Sequence, residues 1–437
     1  MMNSAFSMIT DLANGPRLRT LALVLVALLI SSAALAQTTA LIGATVHPVS
    51  SDPIENGIVL IENGRITAIG HDVDVPADAR RVELNGLHLY PGFVHPGTQL
   101  GITEIASVAG TVDTSEMGNI NPAIRVEVAV NHDSELLPTT MAGGVLTAHI
   151  VPGGGLIRGT SAVISLDGWS WEEMTLAAPV AMHIAFPPGA VDDEDNDDLK
   201  LIEETLTLAR HWHQANTAAR NGNGPRPARN DALEALGGLL SGEVPLMLHA
   251  NRYDVMEAAI DWAQSQGFER IILSANADVQ YLAERLAADD IPVILRDVYS
   301  LPTRRWEAYD MAFVAPARLE AAGVRFAIAD SGGGLDVANS RNLPFQAGSA
   351  VAHGLSETAA LRSVTLWPAE ILGVGDELGS LEVGKRATLF AATGDPLEAF
   401  THIRQVWVDG REVDLSRDRT RRMYERYKER NAEVQGR

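Results

Sequence analysis

The 437-residue chain is long enough for about two to three domains, or for one barrel with a smaller module, and its 46% hydrophobic and 21% charged content excludes a mainly disordered or collagen-like protein. With 34 Lys and Arg against 56 Asp and Glu, net −22, it is a poor candidate for a nucleic-acid partner, because grip on phosphates rests on cationic side chains. The absence of Cys excludes disulfides, thiolate metal sites, a nucleophilic thiol and a lipidated N-terminal Cys.

Residues 1–36 have the pattern of a secretory signal. Arg17 and Arg19 precede the apolar run Leu21–Ile30, and Ala34-Leu35-Ala36 matches the small-x-small cleavage site. The expectation is an exported protein, periplasmic or secreted, with no membrane attachment after cleavage. A β-rich segment follows over 37–90. In it, Ile58–Leu60 and Ile66 flank Asn63-Gly64, the dipeptide that suits the two turn positions needing positive φ. A second such signal, Asp409-Gly410 between Val406–Val408 and Arg411–Val413, lies in the segment 379–415. Since lone hairpins are marginal in water, the two ends are expected to meet in one small β-sandwich around an inserted domain. The last segment, 416–437, reads as a charged surface helix or tail.

Between them, over 91–378, short apolar runs alternate with amphipathic stretches. The runs are Leu89–Val94, Val145–Val151, Val180–Phe186, Val244–Leu248, Ile271–Leu273, Ile291–Leu295 and Val324–Ala329, with a third strand expected inside the Gly-rich stretch 153–166. Helices are expected near 253–266, 278–288 and 314–322, with Asp254 and Asp278 as N-caps. Strand–helix alternation of this length predicts an α/β fold, a (β/α)8 TIM-type barrel. An open doubly wound sheet is the alternative, but no G-x-G-x-x-G follows the first strand. The acidic run 191–198 lacks the Gly and terminal Glu of a calcium loop and reads as solvated.

Three stretches carry a resemblance. They are Leu89-Tyr90-Pro91-Gly92-Phe93-Val94; Trp367-Pro368-Ala369-Glu370-Ile371-Leu372-Gly373; and Gly379-Ser380-Leu381-Glu382-Val383-Gly384-Lys385, followed by Asp395-Pro396-Leu397. Together, over about residues 40–415, the chain resembles the amidohydrolase superfamily of metal-dependent hydrolases, in particular its imidazolonepropionase-like branch. The resemblance implies a barrel with a composite β-domain and hydrolysis of a C–N bond. It also implies that Asp330 corresponds to the general base on the eighth strand and His249 to a metal-binding His on the fifth.

The metal motif departs from that family. Its Asp-x-His-x-His after Pro-Gly-Phe-Val reads here His95-Pro96-Gly97-Thr98-Gln99, so the two ligand positions hold Gly97 and Gln99. The sixth-strand His aligns near Ser274-Ala275-Asn276 and is missing. The only Lys residues are Lys200, Lys385 and Lys428, none placed to bridge two metals. At most one divalent ion, zinc by its ligand chemistry, is expected, held by His183, His249 and Asp330.

Asp330 and His249 are the candidate catalytic residues, Asp330 as the base that activates water and His249 as the group that polarises the carbonyl. Arg252, Asn339 and Arg341 are the candidate substrate contacts, and His149 is a weaker candidate. Gly153-Gly154-Gly155 with Arg158 has the composition of an anion cradle and equally of an ordinary turn. His211-Trp212-His213 lies on a helical pattern, where residues two apart do not face each other, so it reads as packing. The expected function is hydrolysis of a C–N bond in a small amide, with a small molecule as partner and possible self-association. The alternative is a catalytically degenerate barrel that binds a small ligand.

Overall fold

A computed structural model describes residues 38–193 and 195–435; the signal pattern lies outside the described residues. Both ends of the chain contribute to one eight-stranded sheet, in which Leu389–Ala392 joins the C-terminal strand Ile403–Val408 to His88–Pro91. Strand Thr39–Val46 bends the sheet over: its first half pairs with Arg80–Glu83 and its end with His88–Pro91. The enclosed core holds Leu41, Val59, Ile66, Leu89, Leu389 and Trp407.

The two Asx-Gly turns take positive φ at both residues, 52° and 78° at Asn63 and Gly64, 48° and 73° at Asp409 and Gly410. They also touch. A Cβ on Gly64 would lie 2.9 Å from the Asp409 carbonyl oxygen, so glycine there serves both the turn and the contact between the ends.

The middle of the chain is a (β/α)8-type barrel. Its strands are β1 (Phe93–Thr98), β2 (Val145–Ile150), β3 in two segments (Ile157–Thr160 and Ala162–Ser165), β4 (Met182–Ala185), β5 (Leu246–His249), β6 (Ile271–Ala275), β7 (Val293–Arg296) and β8 (Phe326–Ala329). β1 and β2 are parallel, as are β4 through β8. The Gln99 amide donates to the Gly332 carbonyl at 2.8 Å, joining the ends of β1 and β8.

Strand β3 departs from the all-parallel expectation. It runs antiparallel to β2 through Ala162–Ser165 and to β4 through Ile157–Thr160. The cause is chain length: residues 151–156 separate β2 from β3, too few for the crossover of a dozen or more residues that a parallel neighbour needs. As a result the start of β3, rather than its end, lies at the barrel mouth, and Arg158 is carried there.

Side chains alternate along the strands. Ala181, Met247, Ile272, Ile294 and Ala327 cluster inside the barrel, and two residues onward His183, His249, Ser274 and Arg296 line the mouth above them. Outside, helices such as Tyr253–Ser265 bury Val255, Met256, Ile260 and Trp262 against the barrel.

The two predicted caps are corrected. Asn276 caps the turn after β6 by accepting from the Asp278 amide, and Asp254 sits inside its helix, paired with Arg252. The Asp278 carboxylate instead accepts from the Tyr253 amide at 3.2 Å and so caps the neighbouring helix. In the long helix Asp197–Arg220, His213 pairs with the Leu233 carbonyl at 2.8 Å, a packing role for His211-Trp212-His213. The C-terminal helix Arg419–Gln435 buries none of its residues.

Candidate functional site

Four histidines converge on the inner end of the barrel. His95 on β1, His149 on β2 and His183 on β4 are each 0% exposed, and His249 ends β5 beside them. His149 Nδ1 lies 2.7 Å from the Pro96 carbonyl oxygen, which can only accept. The ring proton is therefore on Nδ1, and the buried Nε2, which has no partner, presents a lone pair. His183 Nδ1 and His249 Nε2 are 2.9 Å apart, and His183 Nε2 is buried without a partner.

The imidazoles of His149, His183 and His249 are held neutral. Burial, reinforced by His95 and opposed by the Pro96 hydrogen bond, pushes His149 down to about 4. Burial lowers His183 well below the ordinary histidine value, helped by His149 and Arg158. Burial does the same to His249, with Arg158 the next cause, then His183 and Arg296.

Above these rings lies a cavity of about 110 Å³ lined by Gln99, His149, Arg158, His183, His249, Ser274 and Arg296 among others. It adjoins a wider one of about 590 Å³ that shares Arg158, His249 and Arg296 and adds Asn251, Arg252, Asp278 and Arg304. The two arginines that reach both cavities come from β3 and β7.

Asp330 does not serve the cavity as expected. It is 5% exposed and not among the lining residues. One carboxylate oxygen accepts from the Gly332 amide at 2.8 Å and the other from the Ser340 hydroxyl at 3.3 Å. His95 Nε2 approaches that second oxygen at 3.0 Å, but its N–H direction misses it, so this is an electrostatic contact rather than a hydrogen bond. Gly332 comes close to the Gly97 carbonyl oxygen, 2.9 Å from where its Cβ would lie, and its amide holds the Asp330 carboxylate beside this seam between β8 and β1.

The expected three-ligand set of His183, His249 and Asp330 therefore does not assemble. Among the described residues no three His, Asp or Glu side chains are grouped so that they could hold a metal. Gly97 offers no donor, and Val151 and Ile294 stand next to the space its side chain would take. Gln99 is wedged between Gly153 and Gly333, and His183 and His249 each spend a nitrogen on the other. The residues present do not fit a resident metal of the kind the family resemblance implies.

Of the expected substrate contacts, Arg252 reaches the wider cavity, paired with Asp254. Asn339 is exposed, and Arg341 donates to Thr420 at 3.4 Å near the C-terminal helix; neither lines either cavity. They belong to the 3-10 stretch Gly334–Asn342, whose buried residues are Val337 and Ser340. Sequence reading missed Arg296. The run Ile291–Leu295 stops one residue short, yet Arg296 lies two residues past the core residue Ile294 and so faces the same way.

A barrel entered from the C-terminal ends of its parallel strands, carrying a β-domain made from both chain ends, defines an enzyme-type architecture. Residues 254–413 match the family described as Amidohydrolase family. Over 397 residues the chain is 26% identical to amidohydrolase tasK of Hapsidospora irregularis, spanning 81% of this chain but 39% of that protein. It is 25% identical over 375 residues to an imidazolonepropionase of Sphingopyxis alaskensis, covering 79% of this chain and 88% of the relative. An amidohydrolase from Thermotoga maritima MSB8 has the same fold, with a TM-score of 0.79 at 26% identity over 86% of this chain and 99% of that one. The chain is thus similar to amidohydrolases in sequence and in fold.

Proposed function

We propose that this barrel hydrolyses a C–N bond in a small linear or cyclic amide without a resident metal, and that the chain works outside the cytoplasm. The kinship with amidohydrolases and an imidazolonepropionase supports the reaction class, and the signal pattern of residues 1–36 supports export. The observation that carries the reading is the His183–His249 pair on the cavity wall.

Two neutral imidazoles joined by one hydrogen bond form a relay. If His183 Nδ1 donates to His249 Nε2, His183 Nε2 is an acceptor and His249 Nδ1 a donor; in the other tautomer the roles reverse. A water proton taken by His183 Nε2 moves the shared proton to His249 Nε2 and releases the proton of His249 Nδ1 to the departing nitrogen. The oxygen of the water bonds to the carbonyl carbon as the C–N bond breaks. Both rings end neutral with their tautomers exchanged. His149 Nε2, fixed as an acceptor, positions the attacking water. The lowered pKa values keep all three rings neutral at pH 7, the form the relay needs.

The second reading, a ligand-binding barrel without turnover, is favoured by Gly97 and Gln99 at the family's ligand positions. A panel of N-acyl amino acids, dipeptides and cyclic amides separates the two. Turnover by the wild type supports the hydrolase, whereas saturable binding with no turnover, with or without added divalent metal, supports the binder.

A further inference from the structure

We propose that Arg158 and Arg296 form a clamp for a carboxylate, so that the substrate of the proposed hydrolase is a small amide with a carboxylate a few bonds from the scissile C–N bond. The inference rests on the proposed reaction for the word substrate; the clamp itself rests on the two guanidiniums.

The barrel mouth is cationic in an acidic chain. The wider cavity is lined by Arg158, Arg252, Arg296 and Arg304 against one carboxylate, Asp278, while the whole chain carries net −22. Two of the four arginines are already committed: Arg252 pairs with Asp254, and Arg304 with Asp278 and Glu307. Neither Arg158 nor Arg296 pairs with a carboxylate among the described residues. Arg158 Nε donates to the Gly155 carbonyl at 3.3 Å, so the Gly-rich turn holds this side chain. Arg296 donates to the Asn251 side chain, and its Nε is buried without a partner.

Two like charges that reach the same partly buried mouth oppose each other: burial and then the charge of Arg296 lower the Arg158 guanidinium, while burial lowers Arg296 against the opposing pull of Asp297. A bound anion relieves the repulsion and satisfies the free N–H groups. Planar guanidiniums match the planar, two-oxygen face of a carboxylate. Both arginines act on His249 at the end of the relay, which places the anion within a short reach of the reacting bond.

The test is calorimetric binding to the full chain in anion-poor buffer, using N-acetylglycine and longer N-acyl amino acids, their neutral carboxamides, and inorganic phosphate. A carboxylate is expected to bind at least about tenfold more tightly than its carboxamide, and Arg158→Met and Arg296→Met are each expected to lose at least about tenfold for the carboxylate while leaving the carboxamide unchanged. Met keeps the apolar stem and removes one of two opposed charges, so the thermal midpoint of either variant should match or exceed that of the ligand-free wild type. Equal binding of carboxylate and carboxamide, carboxylate affinity intact in both variants, or no saturable binding by any carboxylate would overturn the clamp. Tighter binding of phosphate would overturn the assignment to a carboxylate. These readouts need no turnover. Selective binding without hydrolysis sinks the hydrolase and leaves the clamp, and hydrolysis of neutral amides at equal efficiency sinks the clamp and leaves the hydrolase.

Discussion

Acid should loosen this barrel through its buried histidines, and His149 allows the size to be worked out. Its ordinary value is 6.5 and burial pushes it down to about 4 in the folded protein. Between those values the unfolded chain binds a proton that the folded chain does not. Stability is therefore complete above 6.5 and is lost as the pH falls toward 4. From pH 8 to pH 5.5 His149 alone accounts for a loss of about 1.4 kcal/mol. The lower limit stays above the sequence pI of about 4.9, where low net charge would favour precipitation. His183 and His249 add losses of the same sign. The perturbation is His149→Gln, which does not titrate and keeps an N–H group for the Pro96 carbonyl. Urea unfolding of both proteins at the two pH values gives the double difference. The wild type should lose about 1.4 kcal/mol more than the variant. Equal losses, or a larger loss in the variant, would show that His149 is not held neutral by burial.

Asp330→Asn removes the charge that faces His95 and receives the Gly332 and Ser340 hydrogens, so it should lower unfolding stability by about 1–3 kcal/mol; turnover that stays within about tenfold of wild type separates this seam role from that of a general base, which costs about 10² or more. Metal quantification after dialysis should give well under one tightly held equivalent per chain, since no group of three ligating side chains forms among the described residues; one or more tight equivalents would refute the reading of the site. Intact mass of the exported protein should place its first residue at Gln37, after Ala34-Leu35-Ala36, and a product retaining Leu21–Ile30 would refute cleavage.

Features that are local in the chain were legible in the sequence. The Asn63-Gly64 and Asp409-Gly410 turns announce themselves because few dipeptides tolerate two positive φ angles in a row. The strand–helix alternation specified the barrel, since each strand carries its own apolar run. Non-local features were hidden. The direction of β3 follows from the short link after β2, but its ambiguous pattern left the strand undefined. Asp278 looked like a cap for its own turn and caps the helix that packs beside it. His249 was visible because it ends a strand, and the structure adds that its partner is His183. Asp330 also ends a strand, but sequence spacing does not tell whether a carboxylate faces the cavity or the seam. Arg158 stands out in the sequence beside its glycines; its meeting with Arg296 depends on β3 and β7 closing over the same mouth.

The central claim is that a metal-free pair of imidazoles transfers the protons of C–N hydrolysis. Its most direct measurement is turnover of the best amide from the panel by chelator-treated protein, comparing wild type with His183→Asn and His249→Asn. The treated wild type is expected to keep its rate, and each variant to lose about 10²–10⁴-fold in kcat. Turnover that appears only with added divalent metal, or that survives in both variants, would contradict it.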